Sequence, residues 1–160
     1  MADTSLLISG GINIGNKVRL YYDSVTNEAG IQVKSTNKSG GNSVKGYIVT
    51  ASDGTNRAFK NCVINSPDII GVVAEAGIAD GSECWVWMSG SICQVYYIGN
   101  TTRGYFARNL VTADGGSAGQ AIAEALPSSP FATDKHFQEI GHLLESRVGA
   151  GLALTNTHFN

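Results

Sequence analysis

Gly115-Gly116-Ser117-Ala118-Gly119 spells G-x-S-x-G, the pattern of a hydrolase nucleophile elbow. In that motif a strained strand-to-helix turn exposes the serine. Asp134 and one of His136, His142 or His158 follow it in hydrolase order. The elbow needs a buried strand of a large α/β sheet with long helices around it, and this chain carries almost no long helical pattern, so Ser117 reads as part of a surface turn. The three histidines form no HxH or HExxH pair and no C-x-x-C is present, so they would bind a metal only if the fold gathered them. Cys62, Cys84 and Cys93 lack neighbouring Lys or Arg where it would matter, beside Cys84 and Cys93, and read as small reduced core residues. No phosphate-cradling glycine loop appears, and Asp80 and Glu83 flank a turn as ordinary solvated acids. The expectation is a non-enzymatic protein with no catalytic residue, metal site or cofactor.

Composition points the same way. Of 160 residues, 38 are Ser, Thr or Asn and 20 are Gly, while only 15% are charged. That is a turn-rich chain suited to strands joined by short loops. No apolar run is long enough to span a membrane, and the first residues lack the pattern of a secretory signal. A net charge of −2 argues against general affinity for nucleic acid. The charge is uneven: residues 1–60 carry a net +3 and residues 61–160 a net −5. Chance scatter on a solvated surface is the favoured reading, and an N-terminal third that docks on an acidic partner is the sharper one.

The elements that would position these residues are strands. Leu6-Leu7-Ile8 suits a strand or an extended N-terminal arm. Val18–Tyr22, Ile31–Lys34, Gly46–Thr50 and Arg57–Ile64 are β-branched, aromatic or alternating, and Asp53-Gly54 turns a hairpin between the last two. Ile69–Ala74, Glu83–Met88, Ser91–Ile98, Tyr105–Thr112, Phe137–Ser146 and Leu152–Phe159 continue the pattern. The Ala-rich stretch from Gln120 to Leu126 predicts one or two helical turns. A two-residue loop at Ser89-Gly90 would pair Val86 with Cys93. Cys84, Val86, Met88, Cys93 and Val95 then face the core, and Trp85, Trp87, Ile92, Gln94 and Tyr96 form either a second packed layer or an interface. One internal echo stands out. Ile70-Gly71-Val72-Val73-Ala74-Glu75 recurs as Ile140-Gly141-His142-Leu143-Leu144-Glu145, which predicts two equivalent strands with a glycine at a close backbone approach. The fold class is mostly β: a small antiparallel β-barrel or β-sandwich with an extended N-terminal arm and at most one short helix.

The run Ile70 to Gly77, continuing through Ala79-Asp80-Gly81 to Ser89-Gly90, resembles the strand–turn–strand core of capsid decoration, or cement, proteins of tailed bacteriophages. Glu139 to Ser146, Gly149-Ala150-Gly151 and Thr157 to Asn160 are similar to C-termini of the same class. The resemblance covers about residues 69–160. It divides one compact domain into residues 1–66, an arm and first hairpin without a match, and residues 67–160, a decoration-type core. It implies a non-enzymatic virion protein, made in the host cytoplasm and bound as a homotrimer to the outer capsid surface. Its partners would be the major capsid protein and itself, with no nucleic acid and no membrane. Leu6, Leu7, Ile8, Lys17, Arg19, Trp85, Trp87 and Tyr96 are the candidate interface. The alternative is a tail or fibre component that stacks sugars on Trp85, Trp87 and Tyr96.

Overall fold

The computed structural model describes residues 10–125 and 138–159. Twelve strands run in chain order: β1 (Gly10–Asn13), β2 (Val18–Asp23), β3 (Glu28–Asn37), β4 (Ile48–Ala51), β5 (Ala58–Asn61), β6 (Gly71–Val73), β7 (Glu83–Trp87), β8 (Ile92–Tyr97), β9 (Phe106–Asn109), β10 (Ala121–Glu124), β11 (Glu139–Leu143) and β12 (Gly151–Thr157). A 3-10 turn, Thr112–Asp114, lies between β9 and β10. The fold is mostly β, as the composition implies.

The sheet closes twice. β3, β5, β4, β6 and β7 pair in that order, and β7 returns to β3. β8, β10, β9, β11 and β12 do the same, and β12 returns to β8. A ring with an odd number of strands cannot be antiparallel throughout, because direction flips at every step. Each ring therefore holds one parallel pair, β3–β5 in the first and β8–β10 in the second.

The two rings are one unit repeated. β3 to β7 map in order onto β8 to β12, and the registers carry over. Ile48↔Val72 becomes Phe106↔His142, Val72↔Trp87 becomes His142↔Asn156, and Val33↔Val86 becomes Cys93↔Thr155. The predicted echo falls on β6 and β11 at equivalent places. A Cβ on Gly71 would meet the Trp87 carbonyl at 2.6 Å, and one on Gly141 would meet the Asn156 carbonyl at 2.0 Å. The echoed glutamates also match in role. Glu75 accepts the Trp85 N–H at 3.1 Å, and Glu145 accepts the Leu154 N–H at 3.0 Å.

Two expectations need correction. Ser89-Gly90 does not turn a hairpin: β7 and β8 both run antiparallel to β3, with Trp87 opposite Gln32 and Ile92 opposite Ala29. The chain carries on in one direction and uses residues 88–91 as a jog from the first ring into the second. Parity therefore differs from a hairpin's, and Trp87 shares a face with Cys93, Val95 and Tyr97, while Val86 shares one with Ile92. The interior face of the first ring (Val49, Phe59, Val73, Cys84, Val86) is thus the opposite face of the sheet from the interior of the second. Secondly, residues 121–124 form β10 rather than helix. Alanine's helix propensity is overruled because a small side chain is needed opposite Tyr97. The boundary at 66/67 falls between β5 and β6, and the repeat changes over between β7 and β8.

Arg108 on β9 holds the 3-10 turn in place. Its Nη1 donates to Asp114 Oδ2 at 2.7 Å and its Nη2 to Oδ1 at 3.1 Å, while its Nε is ion-paired with Glu124. The Arg108 hydrogen bonds, helped by the Val111 N–H, pull the Asp114 carboxyl below its ordinary range. A depressed folded-state pKa stabilises the fold above the ordinary carboxylate pKa, and that contribution is lost as pH falls through the folded value. Urea titrations of wild type and Asp114→Asn should therefore differ at pH 7 and converge towards pH 2. A gap that stays constant over that range would mean the ionised pair contributes nothing.

Candidate interaction surface and histidine cluster

The candidate interface residues scatter. Leu6, Leu7 and Ile8 lie outside the described residues. Trp87 is 1% exposed and Trp85 8%, so neither presents an aromatic platform. The reason is local: β2 pairs with β3 and folds its own side chains over them. The Arg19 guanidinium lies 4.1 Å from the Trp85 ring centroid and 4.5 Å from that of Tyr21. Tyr21 meets Trp87 edge-on at 5.8 Å. Arg19 Nε also donates to Gln32 Oε1 at 2.7 Å. Burial lowers the Arg19 pKa. Lys34 completes the cover of Trp85 at 5.1 Å. The aromatic face is therefore a second packed layer within the chain. Lys17 is paired with Glu83, and Tyr96 is half-buried in an edge contact with Tyr47 at 5.7 Å.

What the ribbon hides on one face it exposes on the other. Ile12, Leu20 and Ile31 are opposite one another across β1, β2 and β3. They are 73%, 45% and 42% exposed. Ile14, just beyond β1, is exposed as well. Among the described residues β1 pairs only with β2, and the backbone groups of its outer edge have no strand partner among those residues. A groove of about 420 Å³ runs along this ribbon, bordered by Gly10, Ile12, Leu20, Tyr22 and Gly30. Charge and aromatic content did not reveal this surface. The signal available in the sequence was the pair Ile12 and Ile14 in a polar, Gly-rich stretch, together with Leu20 and Ile31 in alternating strands.

The chemistry-bearing residues divide. Ser117 is exposed, and its motif links the 3-10 turn to β10 instead of joining a strand to a helix. Its N–H donates to Gln120 Oε1 at 2.8 Å. Asp134 and His136 lie outside the described residues. The three cysteines are buried and unbridged. Burial pushes the Cys62 and Cys84 thiols up to about 11 and Cys93 well above its ordinary value. The fold does gather two of the three histidines: His142 and His158 stack at 5.1 Å beside the carboxylate of Glu139. Comparison with protein-family models, curated proteins and solved structures finds no match for this chain.

Proposed function

We propose that this chain is a non-enzymatic assembly protein that docks through its β1–β2 ribbon on a larger protein surface. Following the resemblance of residues 69–160, that surface is the outside of a phage capsid, and the protein acts as a decoration protein tying major capsid subunits together as a homotrimer. The observation that carries the docking mode is the stripe Ile12, Leu20 and Ile31 beside the open edge of β1. An open edge accepts a strand from a partner through main-chain hydrogen bonds, and an adjacent apolar stripe adds burial. Ten strands in two closed rings give that ribbon a rigid base. The fibre reading, with sugars stacked on Trp85 and Trp87, loses its support because both rings are covered by β2 and its neighbours.

Leu20→Asp combined with Ile12→Asp tests the reading. Both positions are largely exposed, so stability changes by about 1 kcal/mol or less. Co-sedimentation with expanded capsids should fall at least tenfold, and light scattering should show loss of the trimer if the same ribbon joins the copies. Undiminished capsid binding by the double variant would refute the docking mode. A wild-type monomer that ignores capsids would refute the decoration role.

A further inference from the structure

We propose that Glu139, His142 and His158 form a mononuclear site for a divalent first-row transition ion, with Zn²⁺ as the reference ion, on the outer wall of the second ring. The three residues each offer one ligand atom, and those atoms all lie within 4.8 Å of one another. Glu139 Oε1 is 3.0 Å from His158 Nε2 and 3.7 Å from His142 Nδ1. A tetrahedral ion held by nitrogen and oxygen at about 2.0–2.2 Å separates its ligand atoms by about 3.3–3.5 Å. The two observed spacings bracket that value, so an ion needs only small rotamer adjustments to sit between them.

The backbone explains why these residues meet. Residues three apart in a regular strand point to opposite faces, so Glu139 and His142 should diverge. The register of β11 against β9 slips between Glu139 and Gly141, where Arg108 pairs with the first and Ala107 with the second. This bulge resets the alternation and turns Glu139 to the side of His142. His158 comes from the neighbouring strand. His142 is opposite Asn156, and the His158 N–H donates to the Ile140 carbonyl at 2.8 Å, which fixes the two imidazoles side by side.

The repeat supplies a second line of argument. By register His142 corresponds to Val72 of the first ring; counting along the chain from there and from Asn156, Glu139 corresponds to Ile69 and His158 to Ser89. Ile69 and Val72 are buried in the core shared with the second ring. Among the described residues no third ring covers the same wall of the second ring, and there the apolar pair is replaced by a carboxylate and an imidazole. The Glu139 side chain is 5% exposed, while those of His142 and His158 are 48% and 40% exposed. The site is therefore buried on its carboxylate side and open on its imidazole side, which leaves room for water on the ion. Two imidazoles and one carboxylate suit Zn²⁺, Fe²⁺ or Co²⁺ and not the hard ions Ca²⁺ or Mg²⁺.

The test is calorimetric titration of the metal-free full chain with Zn²⁺, beside His142→Ala, His158→Ala and Glu139→Gln. The expected result is one ion per chain with a dissociation constant in the micromolar range or tighter. Each histidine variant should bind at least tenfold more weakly, Mg²⁺ should not bind at the same concentrations, and excess Zn²⁺ should raise the melting temperature of the wild type alone. His142 is the more exposed of the two histidines and lies 3.7 Å from Glu139, so His142→Ala changes metal-free melting least and remains interpretable if Glu139→Gln or His158→Ala unfolds. Absence of binding below millimolar Zn²⁺, or equal binding by wild type and both histidine variants, would overturn the site. Capsid or trimer assays with the ribbon variants read the docking proposal separately.

Discussion

Gly141→Ala is expected to be among the most damaging single-atom additions to this chain, costing about 3–6 kcal/mol and lowering the melting temperature by about 10–20 °C. Gly141 has φ +151°, a region side chains rarely adopt, and its new Cβ would sit 2.0 Å from the Asn156 carbonyl and 2.8 Å from the Thr157 Cα. Those atoms belong to β12, which cannot retreat because its other edge is paired with β8 over six positions. Gly149→Ala is the matched control. It too has positive φ, +80°, yet a Cβ there meets nothing within 4 Å, so about 1 kcal/mol is expected. The difference isolates the close approach from the dihedral strain. Equal losses for the two variants would mean that β11 does not approach β12 at Gly141 as closely as described. Because the same bulge aims Glu139, a folded fraction of Gly141→Ala should also bind Zn²⁺ poorly.

The strands were readable because their apolar residues alternate or cluster between turn residues, and the Ile-Gly echo marked one equivalent pair of strands. The rest of the repeat was hidden by unequal spacing. Lys45-Gly46-Tyr47-Ile48 and Arg103-Gly104-Tyr105-Phe106 are also equivalent, with the Gly46 N–H bonded to the Val73 carbonyl and the Gly104 N–H to that of Leu143. Loops of different length separate the two echoes in each copy, so no single offset aligns them. The Ser89-Gly90 jog mimics a hairpin turn in its residues, and only the partner strand β3 decides that the chain goes straight on. The choice between packed layer and interface for the tryptophans stays open in the sequence for the same reason: their neighbours Arg19 and Tyr21 are more than sixty residues away in the chain. The histidine cluster was out of reach because a spacing of three on a strand predicts divergence, and the bulge that reverses it depends on β9.

The second large effect tests whether the two rings are filled by the same rule. In the first ring Phe59 is opposite Asn37; in the second, Ala121 is opposite Tyr97. All four are buried. One aromatic fills each interior, but it enters from opposite partners of the equivalent parallel pair. Tyr97→Ala empties the second ring and leaves the Thr155 hydroxyl without its 2.7 Å partner, so about 3–5 kcal/mol should be lost. Ala121→Phe forces a ring into space already occupied by Tyr97 and should cost about 2–3 kcal/mol. Made together, the two changes move the aromatic to the partner that carries it in the first ring. The double variant should then cost about 3 kcal/mol, well short of the sum of the singles, a coupling of about 2 kcal/mol or more by urea unfolding. Additive losses would mean that the two positions do not share one volume and that the equivalence of the rings ends at the backbone. A coupling of the expected size would extend the repeat to side-chain packing, where large and small residues have exchanged places across one pair of strands while the barrel around them kept its register.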